Sequence, residues 1–203
     1  MIVSAIKQTS PGRLTVCFDE GEDVPSTLGV VTDWRLFAGR ELDGKEVERL
    51  RLDSHRALCR ERALTLLGQR PMSRRELETK LRQKGVDDET AAWCVTWLQD
   101  NRLIDEESYA AAIVRHYGAK GYGEGRARQE LQRRGIPREL WEDALAARPE
   151  DTTKLDRFIS QRLRDPDDRD EVRRVTAALY RRGFSREEIR DALERFHAEY
   201  IEE

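Results

Sequence analysis

Leu81-Arg-Gln-Lys-Gly85-Val86, Leu131-Gln-Arg-Arg-Gly135-Ile136 and Leu179-Tyr-Arg-Arg-Gly183-Phe184 are three versions of one phrase. It returns about every 50 residues, a period typical of repeated supersecondary units. Its grammar is that of a helix stop. A leucine holds the last buried turn, cations sit where they favour the helix dipole, and a glycine takes the left-handed conformation that ends the helix. The hydrophobic residue after the glycine returns to the core, and a new helix start follows.

Working outward, the starts are as legible as the stops. Ser73-x-x-Glu76 and Ser185-x-x-Glu188 read as capping boxes, Asp87 and Asp105 as N-caps, and Pro137 falls in a first helical turn, where proline is tolerated. Apolar residues recur at helical spacing between them, as at Leu77 and Leu81 or Val175 and Leu179. The pattern predicts three three-helix repeats, at residues 54–102, 103–148 and 149–203. Residues 1–53 read differently. Ile2–Ile6 and Arg13–Phe18 are β-rich runs joined by a Pro-Gly turn, Val24-Pro25 is a short edge segment, and Ser26 is placed to cap a brief helix ending near Trp34. Asp43 and Glu46 form a capping pair for a helix carrying Val47, Leu50, Leu58, Ala63 and Leu66, with a break expected near Leu52–Ser54 and an end at Pro71. The fold expected is mainly α: tandem three-helix repeats forming an elongated, curved array, with a small strand-containing N-terminal module.

Composition limits the functions. The chain of 203 residues is 38% charged, well above the usual quarter or so, yet its net charge is −3. Acidic ends flank a mildly basic middle, which favours a local anionic partner over bulk attraction. Three widely spaced cysteines with no CxxC suggest neither a disulfide framework nor a zinc site, and a reduced, cytoplasmic setting is expected. No apolar run is long enough for a membrane span. His55, His116 and His197 are scattered and have no recurring acidic or thiol neighbour. No catalytic residue, metal site or cofactor site is therefore assigned.

The middle helix of each repeat gathers cations: Arg74, Arg75, Lys80, Arg82 and Lys84 in the first, Arg126, Arg128, Arg133 and Arg134 in the second, Arg173, Arg174, Arg181 and Arg182 in the third. Each is either a helix-end residue serving the dipole or part of a surface for an anionic partner. Base reading in duplex DNA would need Asn or Gln at a recurring position, and Gln83, Gln129 and Gln132 do not recur in all three repeats. Gly121-Tyr122-Gly-Glu-Gly125 lacks the strand and the Lys-Ser/Thr of a P-loop. It reads as a helix connection, or as a surface loop offering Tyr122 and backbone amides to a partner. Trp93 and Trp97 share one side of a helix, placed to pack on the N-terminal module or a neighbouring repeat, or to face a partner.

Ala63-Leu-x-Leu-Leu67, Ser73-Arg-Arg-Glu-Leu-Glu-x-Lys-Leu81 and Lys84-Gly85, then Leu103-Ile-Asp-Glu-Glu-Ser-Tyr-Ala110 with Val114-Arg115, then Gly121-Tyr-Gly-x-x-Arg126-x-Arg128-x-Glu-Leu131 with Gly135-Ile136, together resemble the RecX family of bacterial recombination regulators. The match is good over about residues 55–147 and looser in the third repeat. Ala127 stands where a larger aliphatic residue is common, and the Asp165–Asp170 break is unusually acidic. The resemblance implies a regulator, not an enzyme, that binds the RecA filament on single-stranded DNA and restrains its ATPase, its strand exchange and its stimulation of LexA cleavage. It adds Arg115 to the candidate contact residues, beside Tyr122 of the loop, and a monomer with at most weak DNA affinity of its own is expected. The alternative is a helical-repeat module acting directly on nucleic acid.

Overall fold

The computed structural model describes residues 1–148 and 152–202. Val3–Ser10 (β1), Arg13–Phe18 (β2) and Val24–Thr27 (β3) form an antiparallel sheet in that order, with Val16 opposite Val24 and Lys7 opposite Thr15. β1 runs four residues beyond Ile6 because its polar second half still has β2 to pair with. Leu28–Asp33 (α1) is capped by Thr27, which accepts from the Val30 N–H; Ser26, the residue expected in that role, is buried and hydrogen-bonds Ser54 at 2.8 Å.

That hydrogen bond also explains why Gly44–Gln69 (α2) runs unbroken for 26 residues through the break expected near Leu52–Ser54. Ser54 is satisfied by Ser26, and the Asp53 carboxylate accepts from the Trp34 indole at 3.0 Å. Polar side chains that would compete with the helix backbone in isolation are occupied by the N-terminal module instead. α2 opens on the expected capping box, Asp43 with Glu46, and ends one residue before Arg70 turns extended ahead of Pro71. Val3, Val16, Phe18, Val24, Leu42, Val47 and Leu50 form the core between sheet and helix.

Arg74–Gln83 (α3) and Asp88–Asp100 (α4) complete the first repeat, with Leu77, Leu81, Cys94 and Leu98 fully buried. Glu106–Ala119 (α5), Glu124–Arg133 (α6), a 3₁₀ turn at Arg138–Leu140 and Trp141–Ala146 (α7) make the second. Its third helix therefore opens as a tighter turn, with Pro137 just before it rather than inside it. Thr153–Ser160 (α8), Arg169–Arg181 (α9) and Arg186–Glu202 (α10) make the third, where Ser185 and Glu188 exchange both capping hydrogen bonds. The third repeat's expected start at 149 lies among residues outside those described. By contacts the chain packs as two units: Met1–Pro71 with Glu76–Ile104, and Met72–Arg75 with the residues from Asp105 onward.

The repeated phrase is one backbone device built three times. The N–H of Val86, Ile136 and Phe184 donates to the carbonyl of Leu81, Leu131 and Leu179, at 3.1, 3.0 and 3.2 Å. The glycine N–H donates three residues back in each case, and φ is +83° at Gly85, +67° at Gly135 and +85° at Gly183. These bonds cap otherwise unpaired carbonyls at the helix end. The leucines are completely buried and the hydrophobic residue after each glycine nearly so.

Candidate functional site

The second and third stops each dock on the start of a middle helix. At the third, the carbonyls of Arg182 and Gly183 accept the N–H groups of Gly123 and Gly125, at 3.0 and 2.8 Å. At the second, the Ser73 hydroxyl donates to the Arg134 carbonyl, while Gly135 lies against Arg75. Ser73 and Gly123 both stand immediately before their helices, so the two dockings are equivalent in position. Two amides of the Gly121–Gly125 loop are thus committed inside the chain. The surface-loop reading, in which those amides face a partner, does not hold for Gly123 and Gly125.

Glycine is required here for space. A Cβ on Gly123 would lie 2.2 Å from the Gly183 carbonyl oxygen, and one on Gly183 would lie 2.2 Å from the Arg126 nitrogen. Around this contact Tyr122, Arg126 and Arg182 come together. Arg182 stacks over Phe158 and Tyr122, with its guanidinium carbon 4.3 and 5.4 Å from the ring centroids, and donates to the Gly121 carbonyl. Lys154 donates to the Ala119 carbonyl at 2.7 Å beside the same loop. Sequence reasoning missed Lys154 and Phe158, since nothing local in α8 marks them as neighbours of a loop some thirty residues away.

The remaining candidates divide by their partners. Arg74 is held by Glu106, with Nε 2.7 Å from the carboxylate. Arg75 packs on Gly135. Arg82 pairs with Glu78 and with Asp88. Arg128 sits between Glu124 and Glu142, at 2.7 and 3.0 Å. Arg133 and Arg134 converge on the buried Glu130, and Arg134 also reaches the Tyr109 hydroxyl at 2.9 Å. Arg126 bonds only Gln129, and Lys80, Lys84, Arg115 and Arg181 form no ion pair among the described residues. Lys84, Arg115, Arg126 and Arg181 are exposed, Lys80 half-buried. Arg126 borders the Gly123–Gly183 contact and Arg181 precedes Gly183 by two residues on the helix that ends there; both are exposed.

Glu130 shows what commitment does to a charge. Hydrogen bonds from Arg133, then from Arg134, outweigh the burial that opposes them and hold its carboxyl at about 2, against an ordinary 4.5. A folded-state value below the unfolded one gives stability that is full above the ordinary carboxylate range and is lost as the pH falls through about 2. Allowing for the exposure of Arg133, the contribution at neutral pH is about 2 kcal/mol. Urea unfolding of Glu130→Gln should show a loss of that order at pH 7 and a loss that shrinks progressively below pH 4, where the native carboxyl is losing its advantage.

Among the described residues no three potential metal ligands cluster, and no helix is long and apolar enough to cross a membrane. Family models of the first, second and third three-helix domains of RecX match residues 59–98, 105–145 and 159–193. The chain belongs to the RecX family. The regulatory protein RecX of Xanthomonas axonopodis pv. citri (strain 306) is 37% identical over 135 residues, covering 65% of this chain and 83% of the relative. RecX of Vibrio campbellii (strain ATCC BAA-1116) is 30% identical over 138 residues, 66% of this chain and 88% of the relative. A crystal structure of regulatory protein RecX superposes with a TM-score of 0.73 at 27% identity, covering 94% of this chain and 98% of that one. RecX from Lactobacillus salivarius shares the fold, with a TM-score of 0.62 over 71% of this chain and 97% of that one. The three matched RecX domains coincide with the three repeats built around the helix stops, so the scaffold described above is the family's own.

Proposed function

We propose that this chain is a non-enzymatic, cytoplasmic regulator that binds the RecA filament on single-stranded DNA as a monomer and restrains its activity. Membership of the RecX family is the observation that carries this reading. The site supports it: Arg126 and Arg181, with Lys80, Lys84 and Arg115, offer cations to an anionic partner, whereas Arg74, Arg128, Arg133 and Arg134 serve mainly to hold the fold. A net charge of −3 makes this attraction local, so the protein surface of the filament supplies most of the affinity and phosphates supply its salt dependence.

The test is the DNA-dependent ATPase of RecA with this protein added below stoichiometry. The expected result is a fall in rate and in filament length. Unchanged rate and length would remove the proposal. Direct action on nucleic acid is separated by binding to oligo(dT) without RecA. The filament reading expects that binding to be weak and abolished by moderate salt, while tight binding there would favour the alternative.

A further inference from the structure

The long helix α2 presents a ridge at spacing four: Leu52, Arg56, Arg60 and Leu64. The two leucines are 42% and 43% exposed. Alongside run Trp93 and Trp97 of α4, half-buried. The cations and rings interleave. The guanidinium carbon of Arg56 lies 4.6 Å from the Trp93 ring centroid, and that of Arg60 lies 5.9 Å from Trp93 and 4.9 Å from Trp97. The tryptophans therefore face the helix of their own repeat, and their stacking fixes the orientation of two planar, charged forks.

Those forks hold no protein oxygen among the described residues. Every other half-buried arginine among the described residues, from Arg40 to Arg182, donates at least one hydrogen bond to a protein oxygen. Arg56 and Arg60 donate none, and the Arg56 Nε is buried without an acceptor. Neither indole N–H has a protein acceptor among the described residues. The surface is thus a set of donors, oriented by the ring stacking, that no protein oxygen among the described residues engages.

We infer that this face is a docking surface for an acidic amphipathic helix of a partner protein. Guanidinium forks match carboxylates two-point, and arginines four apart on one helix are met by carboxylates four apart on another. The exposed leucines at either end supply the apolar contact. Tryptophan and arginine without lysine are typical of a protein interface centre; a phosphate-tracking surface would extend the cation row where the exposed leucines stand. The inference rests on the filament reading for the partner's identity, a RecA protomer.

The experiment measures the affinity of the full chain for preformed RecA filaments on oligo(dT), for wild type, Arg56→Ala with Arg60→Ala, and Arg56→Lys with Arg60→Lys. Circular dichroism melting follows each. Both double variants should keep a cooperative melt. The alanine pair should bind at least tenfold more weakly, and the lysine pair several-fold more weakly, because lysine keeps the charge but loses the fork and the stack. Wild-type binding that neither variant weakens overturns the docking surface and leaves the filament reading standing. A wild type with no affinity for the filament overturns the filament reading, and this partner with it. Equal loss of binding to bare oligo(dT) would make nucleic acid the occupant, and a wild-type dimer that the variants dissociate would make it a second copy of this chain; either result overturns the inference.

Discussion

Gly123→Ala should undock the third repeat from the second. The added Cβ would sit 2.2 Å from the Gly183 carbonyl oxygen and 2.4 Å from the Phe184 nitrogen, and both neighbours are backbone. Neither can swing aside, because Gly183 and Phe184 belong to the helix stop whose bonds run back to Tyr180 and Leu179. The docking must open, breaking the Gly123 and Gly125 hydrogen bonds and uncovering Tyr122 and Phe158 beneath Arg182. The cost is about 3 kcal/mol, at the upper end of overpacking, with early proteolysis in the chain beyond Ala147 as its sign. Gly85→Ala is the control. Its φ of +83° strains alanine, but nothing lies within 4 Å of the new Cβ. About 1 kcal/mol is expected there, the strain of a left-handed residue alone. Equal costs for the two variants would mean that close approach contributes nothing at Gly123.

Arg126→Glu with Arg181→Glu should reduce inhibition of the RecA ATPase at least tenfold while leaving the melt unchanged within a few degrees. Both side chains are exposed and neither is in an ion pair among the described residues, where reversal breaks only the side-chain bond between Arg126 and Gln129. The salt dependence of filament binding should fall by about one unit of slope for each phosphate no longer engaged. Reversing Arg128 instead would be hard to interpret, since it would set a third carboxylate between Glu124 and Glu142 and destabilise α6 itself. Retained inhibition in the double variant would move the anionic contact away from the second and third repeats.

The helix stops were legible from sequence because they are local. Leucine, glycine and the hydrophobic residue after it close their hydrogen bonds within six residues, and the left-handed glycine needs no distant neighbour to explain it. Caps at Asp43, Asp87, Asp105 and Ser185 were legible for the same reason. The break expected near Leu52–Ser54 failed because Ser26 and Trp34, distant in sequence, occupy Ser54 and Asp53. The cations were the hardest to read. Lys84, Arg134 and Arg182 hold the same place in the phrase, yet Lys84 is exposed, Arg134 is bound to Glu130 and Tyr109, and Arg182 lies on two aromatic rings.

The sequence by itself determined the period, the helix stops and the family, since each rests on short-range chemistry repeated in register. Only the tertiary structure decided which arginines are committed to the fold and which stay available. A guanidinium reaches several ångströms from its backbone and takes whatever acceptor folding brings near, so its role is set by neighbours remote in the chain. Arg133 and Arg134 meet Glu130 one turn back on their own helix, but Arg134 also finds the Tyr109 hydroxyl from a different helix, and for Arg56 and Arg60 folding brings two tryptophans and no acceptor among the described residues.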